Sequence, residues 1–122
     1  MKLYLKDIEK YAVKSNEKYK IDYLNGWGYR NNEFYFITTT PKDWYLAGEY
    51  AAVYFLVKEN EVVYIGKTTC ANRIEGHKNK DYDYVYFIPT TKSVYSKLEL
   101  NLIRKYSTKY NKTHNYATLQ KL

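Results

Sequence analysis

The stretch that decides the fold is AVYFLVKENEVVYIG, residues 52–66. It holds two apolar runs, residues 52–57 and 62–65, which are rich in the β-branched and aromatic side chains that favour strands. The four polar residues between them, KENE, have the length and composition of a turn, so we expect an antiparallel hairpin. Both runs carry apolar side chains at odd and even positions, which predicts that both faces of the hairpin are covered.

C-terminal to the hairpin, the pattern predicts a short helix, a third strand and a longer helix. Thr68 or Thr69 can cap the short helix. Residues 84–88, YVYFI, predict the strand, and we expect Pro89 to end it because proline has no backbone N–H to donate. Ser93 is a candidate cap for the last helix. Its apolar residues recur at helical spacing: Val94, Leu98, Leu102 and Tyr106.

N-terminal to the hairpin, the signals are weaker. Residues 5–18 predict an amphipathic helix, residues 33–38 a strand and residues 41–49 a short helix. The residues around the turn pair at 25–26 either contact DNA from a surface loop or pack on the core, and the small size of the core favours packing. These residues are Tyr23, Trp27, Tyr29 and Arg30.

Together these elements predict an α+β fold: a small three-stranded, mainly antiparallel sheet flanked by helices, with an N-terminal helix and hairpin extension. The chain contains no internal repeat, low-complexity tail or linker, so residues 1–122 are expected to form one domain. Within it, residues 50–115 would be the core. Residues 1–49 would be an extension that supplies DNA specificity or covers the sheet.

The positive charge of the chain lies mainly in its second part. Of the formal net charge of +7, residues 1–50 hold eight basic and seven acidic side chains, and residues 51–122 hold twelve and six. Basic residues interleaved with tyrosines suit a polyanion, although a solvated lysine-rich surface would show the same pattern. The candidate DNA-binding residues are Lys67, Lys78, Arg104, Lys105, Lys109 and Lys112.

Composition also argues against several classes of protein. No apolar run approaches the ~20 residues that a membrane-spanning helix needs, and the N-terminus does not resemble a signal peptide. The single cysteine, Cys70, can form neither an internal disulfide nor a thiolate zinc site. We therefore expect a soluble, cytoplasmic protein.

Three scarce or costly side chains are candidates for chemistry. Arg73 and His77 are four residues apart, so on an α-helix they would share one face. Glu99 lies at the margin of the last apolar stripe, where a carboxylate is expensive to bury unless it meets a cation or a metal. Taken singly, each also fits an ordinary surface or ion-pair role.

The order of these residues resembles the GIY-YIG nuclease domain over about residues 50–115. Ala52-Val53-Tyr54 stands where the family has GIY, and Tyr64-Ile65-Gly66 is an intact YIG. Ala52 and Val53 depart from the family pattern, and because both are small and apolar we expect altered packing rather than lost chemistry. The residues that carry the resemblance are Tyr54, Tyr64, Gly66, Arg73, His77, Glu99 and Asn111.

The resemblance implies a divalent-metal-dependent endonuclease that hydrolyses phosphodiester bonds in double-stranded DNA. Glu99 would hold one hard cation, Mg²⁺ or Mn²⁺. Arg73 would bind the scissile phosphate with its planar donor fork. Tyr54 would accept the proton of the attacking water, and Arg73, the metal or Lys67 would lower its pKa from the usual value near 10.

The resemblance assigns less specific roles to three further residues. Tyr64 and His77 are candidates for a hydrogen-bonded proton relay. Asn111 would orient either the last helix or the metal shell. One active site per chain means that a monomer nicks, whereas a duplex break needs a homodimer or two sequential events.

The alternative is a non-catalytic basic nucleic-acid-binding module that keeps this fold. A more remote alternative is a tyrosine-rich structural protein whose charge serves solubility only. The compact chain suits a phage, mobile-element or restriction-like nuclease by analogy with the family alone.

Overall fold

The structure is a computed structural model that describes residues 1–21 and 50–111. In chain order the elements are helix α1 (Leu5–Ile8), strand β1 (Val13–Lys14), strand β2 (Tyr50–Lys58), strand β3 (Glu61–Thr68), a 3₁₀ helix (Ala71–His77), strand β4 (Tyr84–Thr91) and helix α2 (Tyr95–Lys105). The fold is α+β, as predicted. The strand and helix predicted within residues 33–49, and the aromatic loop near residue 25, lie outside the described residues.

The predicted hairpin is present as β2 and β3. Lys58 pairs with Glu61, so the turn has two residues, and Glu59 adopts a positive φ of 58°. Two-residue hairpin turns use this left-handed region to match the twist of the strands. Tyr54 and Leu56 of β2 belong to one buried cluster, and Val53 and Phe55 belong to another. The expectation of cover on both faces is therefore confirmed.

The sheet has four antiparallel strands in the order β1-β4-β2-β3, not the three expected. The fourth strand comes from residues 5–18, whose predicted helix ends at Ile8. Val13 pairs with Phe87, and the Ser15 N–H donates to the Val85 carbonyl at 2.8 Å. Strand β1 thus satisfies backbone hydrogen-bonding groups on the edge of β4. If α1 continued through residues 13 and 14, these groups of β4 would lack this partner.

We expected strand β4 to stop at Pro89, but it continues to Thr91. The Val85 carbonyl faces β1, and alternate residues of a strand direct their backbone groups to the same side. Pro89 therefore turns its nitrogen away from β2, toward an edge that β1 does not reach. A missing N–H costs no sheet hydrogen bond in that position.

Helix α2 covers the face of the sheet that carries Val53 and Phe55, opposite the face that carries Tyr54 and Leu56. Its residues Leu98, Leu102 and Ile103 pack with Val53 and Phe55 of β2. In the described part of the chain, no helix is long and apolar enough to cross a membrane.

The start of α2 differs from the prediction. Ser93 does not cap the helix, because its hydroxyl lies 3.1 Å from that of Thr91 and Val94 occupies the N-cap position. Val94 is accordingly exposed instead of joining the apolar stripe. The helix residues that pack on the sheet begin with Tyr95 and continue with Leu98.

Candidate active site

Tyr54 and Gly66 form the centre of the candidate site. They are directly opposed on β2 and β3, and Tyr54 is buried. A Cβ atom added to residue 66 would lie 2.5 Å from the Tyr54 hydroxyl oxygen and 2.8 Å from Cε2 of Tyr64. The glycine therefore leaves the space in which the Tyr54 ring crosses β3.

Tyr54, Tyr64 and His77 form a cluster of three rings around the Tyr54 hydroxyl. The Tyr54 oxygen lies 2.8 Å from Nε2 of His77, which is hydrogen-bond distance. Tyr64 also hydrogen-bonds Tyr54, and its ring centroid lies 4.6 Å from that of His77. A neutral imidazole protonated on Nδ1 accepts the Tyr54 proton at Nε2. This arrangement can pass a proton from a phenol to an imidazole.

The helix that carries Arg73 and His77 is a 3₁₀ helix, which corrects the expectation that the two share a face. Side chains repeat every three residues in a 3₁₀ helix, so His77 aligns with buried Ile74. Arg73 is exposed. Its guanidinium nevertheless acts on Tyr54, because its charge lowers the pKa of the phenol.

Neither threonine caps this helix, contrary to expectation. Cys70 occupies the N-cap position without a side-chain hydrogen bond to the helix. The Thr68 hydroxyl instead accepts from the Cys70 N–H at 2.9 Å and donates to the Cys70 carbonyl at 3.1 Å. Thr68 therefore fixes the turn that leads from β3 into the helix.

Glu99 comes from α2 and is partly buried. Burial raises the pKa of its carboxyl group, and the positive charge of Lys67 opposes that rise. The charge of Glu99 also raises the pKa of Tyr54. Glu99 and Arg73, which belong to different helices, therefore both lie within electrostatic reach of the same phenol.

The net pKa shift of Tyr54 is upward, although the charge of Arg73 lowers this pKa as expected. Burial is its largest cause, followed by the charges of Tyr64 and Glu99 and the hydrogen bond with Tyr64. Arg73 opposes these effects without outweighing them. Tyr54 is consequently a protonated phenol at neutral pH, and any basic role requires a neighbour that takes its proton.

Asn111 is buried against the outer edge of β3. Its Oδ1 accepts from the Ile65 N–H at 2.7 Å, and its Nδ2 donates to the Ile65 carbonyl at 2.9 Å. The Thr108 hydroxyl donates to the same Oδ1. These contacts fix the segment after α2 against the strand that carries Tyr64 and Gly66. Within the described residues, the side-chain hydrogen bonds of Asn111 are therefore with Ile65 and Thr108, not with Glu99.

The predicted DNA-binding residues are spread over several elements. Lys67 donates to the Ser96 hydroxyl at 2.6 Å, and Lys78 pairs with Glu75 at 3.7 Å. Lys112 lies outside the described residues. The remaining predicted residues are exposed at and beyond the end of α2: Arg104, Lys105 and Lys109.

Lys80 is a neighbour of the site that the sequence did not single out. Its ammonium lies 5.5 Å from the ring centroid of Tyr64. It occupies no motif position, and the only signal in the sequence is its place three residues after His77 in a basic run. Only the fold brings it to the tyrosine cluster.

Glu99 is the candidate metal ligand of the site. Within residues 1–21 and 50–111, no group of three or more His, Cys, Asp or Glu side chains could hold a metal. Glu99 offers carboxylate oxygens in a partly desolvated position. No family model, curated protein or solved structure matches this chain.

Proposed function

We propose that this protein is a divalent-metal-dependent endonuclease that hydrolyses phosphodiester bonds in DNA, with one active site per chain. The observation that carries the proposal is the 2.8 Å contact between the buried Tyr54 hydroxyl and Nε2 of His77, at a phenol whose pKa responds to the charges of both Arg73 and Glu99. Phosphodiester hydrolysis needs a proton acceptor, a cation for the phosphate and stabilisation of the leaving oxygen. The resemblance to GIY-YIG nucleases assigns these tasks to the same residues.

Tyr54 and His77 would remove the proton from the attacking water together. As the water proton moves to the Tyr54 oxygen, the Tyr54 proton moves to Nε2 of His77, which lies 2.8 Å away. This relay avoids a free phenolate, which the raised pKa of Tyr54 makes costly. Tyr64 would hold the Tyr54 ring in place by packing against it, with 6.0 Å between the two ring centroids.

Arg73 would bind the phosphate. Its exposed guanidinium is accessible to a large substrate, and its planar fork can donate two hydrogen bonds to phosphoryl oxygens. Lysine would supply the charge without the fork. Arg73→Lys is therefore expected to be slower than the wild type and faster than Arg73→Ala.

Glu99 would hold the cation. A carboxylate that is partly removed from water, with a pKa raised by burial, lacks full compensation for its negative charge, and a hard cation would provide it. Mg²⁺ and Mn²⁺ fit because Mg²⁺ is often bound through one or two carboxylates, with water and phosphate oxygens as the other ligands. When bound, the cation supplies positive charge to the phosphoryl and leaving oxygens.

The test is cleavage of supercoiled plasmid DNA with Mg²⁺. We expect the wild type to produce nicked circles, and Glu99→Ala and Arg73→Ala to be slower by about 10²–10³. Glu9→Ala, which removes an exposed carboxylate of the N-terminal segment, is the control and should cut normally. Cleavage by both site variants at the wild-type rate would overturn the mechanism. Salt-sensitive binding without cleavage by any variant would favour the non-catalytic nucleic-acid-binding module.

A further inference from the structure

The ammonium group of Lys80 lies over two tyrosine rings beside the candidate site. It is 5.5 Å from the ring centroid of Tyr64 and 5.7 Å from that of Tyr110. Both distances are within the range of cation–π attraction. Tyr64 belongs to the ring cluster around the Tyr54 hydroxyl, so the charge of Lys80 is fixed close to that cluster.

The acidic residues near Lys80 pair with other lysines. Asp81 lies 3.3 Å from the ammonium of Lys58, and Glu75 lies 3.7 Å from that of Lys78. In the part of the chain that the structure describes, Lys80 forms no salt bridge. Its charge is therefore available to an anion from outside the protein.

The backbone around Lys80 is tied to the site and to β3. The Lys80 N–H donates to the His77 carbonyl at 2.9 Å, and the Asp81 N–H donates to the Tyr110 hydroxyl at 3.0 Å. The Tyr110 N–H donates to the Val63 carbonyl at 2.9 Å. Lys80 is thus preorganised, so binding an anion costs little ordering of the loop.

We propose that Lys80 binds a backbone phosphate of the DNA next to the phosphate that is cleaved. The inference rests on the proposed function, and it extends the substrate-binding surface to a residue outside the motif. Among the described residues, the Lys80 ammonium contacts the faces of Tyr64 and Tyr110 and no carboxylate, so it can turn toward a phosphate without breaking an ion pair with them. The contact is with the phosphate backbone, so it carries no sequence preference.

The test measures binding of a short fluorescent DNA duplex at several salt concentrations, without divalent metal, so that no cleavage occurs. We expect Lys80→Ala to weaken binding roughly fivefold at low salt and to reduce the slope of log K against log salt by about 1. Lys80→Arg keeps the charge and should keep the slope. A thermal unfolding curve of each variant confirms that it is folded.

Lys6→Ala is the matched control. Lys6 also lies over a tyrosine, 5.9 Å from the ring centroid of Tyr4, but its helix packs through Ile8 into the cluster on the other face of the sheet. We expect this variant to bind as the wild type does.

Three outcomes separate this inference from the proposed function. Wild-type affinity and slope for Lys80→Ala would overturn the phosphate site, even if the enzyme cuts DNA. A slope that depends on Lys80 in a protein that never cuts would support the phosphate site and overturn the nuclease. No DNA binding by the wild type at low salt would overturn both.

Discussion

At the scale of single residues, Gly66 and Tyr54 constrain each other. The ring of Tyr54 occupies the position where any side chain at residue 66 would begin. The hydroxyl then meets His77 at 2.8 Å. A glycine in the second strand and a tyrosine in the first are thus one structural unit, although eleven residues separate them in the chain.

Gly66→Ala should damage the site because the new methyl group would meet the Tyr54 hydroxyl at 2.5 Å. Displacing the ring in a packed region costs about 1–3 kcal/mol of unfolding free energy and breaks the contact with His77. Gly76→Ala is the control, since a Cβ there meets nothing within 4 Å. Urea unfolding and plasmid cleavage would measure both effects. Equal stability and activity of the two variants would contradict this account of Gly66.

Glu99→Gln should stabilise the protein at neutral pH while slowing the proposed cleavage. The folded-state pKa of Glu99 is raised by burial, so the folded chain binds this proton more tightly than the unfolded chain does. The protonated Glu99 carboxyl therefore contributes fully to stability below its unfolded-state pKa. This contribution is lost as the pH rises through its folded-state pKa. The variant should therefore have a higher denaturation midpoint at pH 7, and the difference should vanish below about pH 4. Exposed Glu9→Gln is the control. A lower midpoint for Glu99→Gln at pH 7 would contradict the burial argument.

At the scale of elements, the edge of β3 is closed by a side chain. The Asn111 amide pairs with both backbone groups of Ile65, as a neighbouring strand would. Strand edges otherwise leave such groups unpaired. Asn111 therefore links the segment after α2 to the strand that carries Tyr64 and Gly66.

Asn111→Ala should destabilise the fold by about 2–4 kcal/mol, because it leaves the N–H and C=O of Ile65 buried without these partners. Asn111→Asp keeps the oxygen acceptor and loses the Nδ2 donor, so it separates the two contacts. Denaturant unfolding of both variants measures the cost. If Asn111→Ala unfolds at the wild-type midpoint, the side chain does not hold this edge.

The hairpin was predictable because its signal is local: two apolar runs and a four-residue polar separator. Three features were not, because each depends on a partner distant in the chain. Val13 becomes a strand residue only because β4 offers an edge, and Pro89 is tolerated only because that edge is open at its position. The 3₁₀ helix places Ile74 in the core and leaves Arg73 exposed. An α-helix, which we had expected, would have placed Arg73 on the same face as His77.

At the scale of the whole molecule, buried phenols make stability sensitive to alkali. Burial raises the pKa of Tyr54 and of Tyr82, whose hydroxyl donates to the Lys18 carbonyl at 3.1 Å. Above about pH 10 the unfolded chain loses these protons while the folded chain keeps them. Stability therefore falls as pH rises beyond that value.

Tyr54→Phe should make this fall shallower. Each retained proton contributes about 1.4 kcal/mol per pH unit to the slope of unfolding free energy against pH, so removing one phenol reduces the slope by about that amount. Urea unfolding between pH 8 and 11 measures the slope for both proteins. A variant slope equal to that of the wild type would mean that Tyr54 ionises as readily when folded as when unfolded.

The site was only partly predictable for a related reason. The order of residues led us to propose Tyr54, Arg73, His77 and Glu99. In the structure His77 lies at hydrogen-bond distance from Tyr54, and the charges of Arg73 and Glu99 affect the pKa of that phenol. Sequence could not give the sign of the Tyr54 pKa shift, because burial, the largest cause, belongs to the assembled core. Nor could it give Lys80, which reaches the site only through the loop after the 3₁₀ helix.

The most direct test of the central claim is a double-mutant cycle on the single-turnover rate of cutting one defined duplex with Mg²⁺. When two groups act on the same phosphate, removing the second costs little further rate once the first is gone. The double variant Arg73→Ala with Glu99→Gln should therefore be about as slow as the slower single variant. We expect this result if Arg73 and Glu99 serve one reaction centre. Losses that multiply in the double variant, or single variants that cut at the wild-type rate, would contradict it.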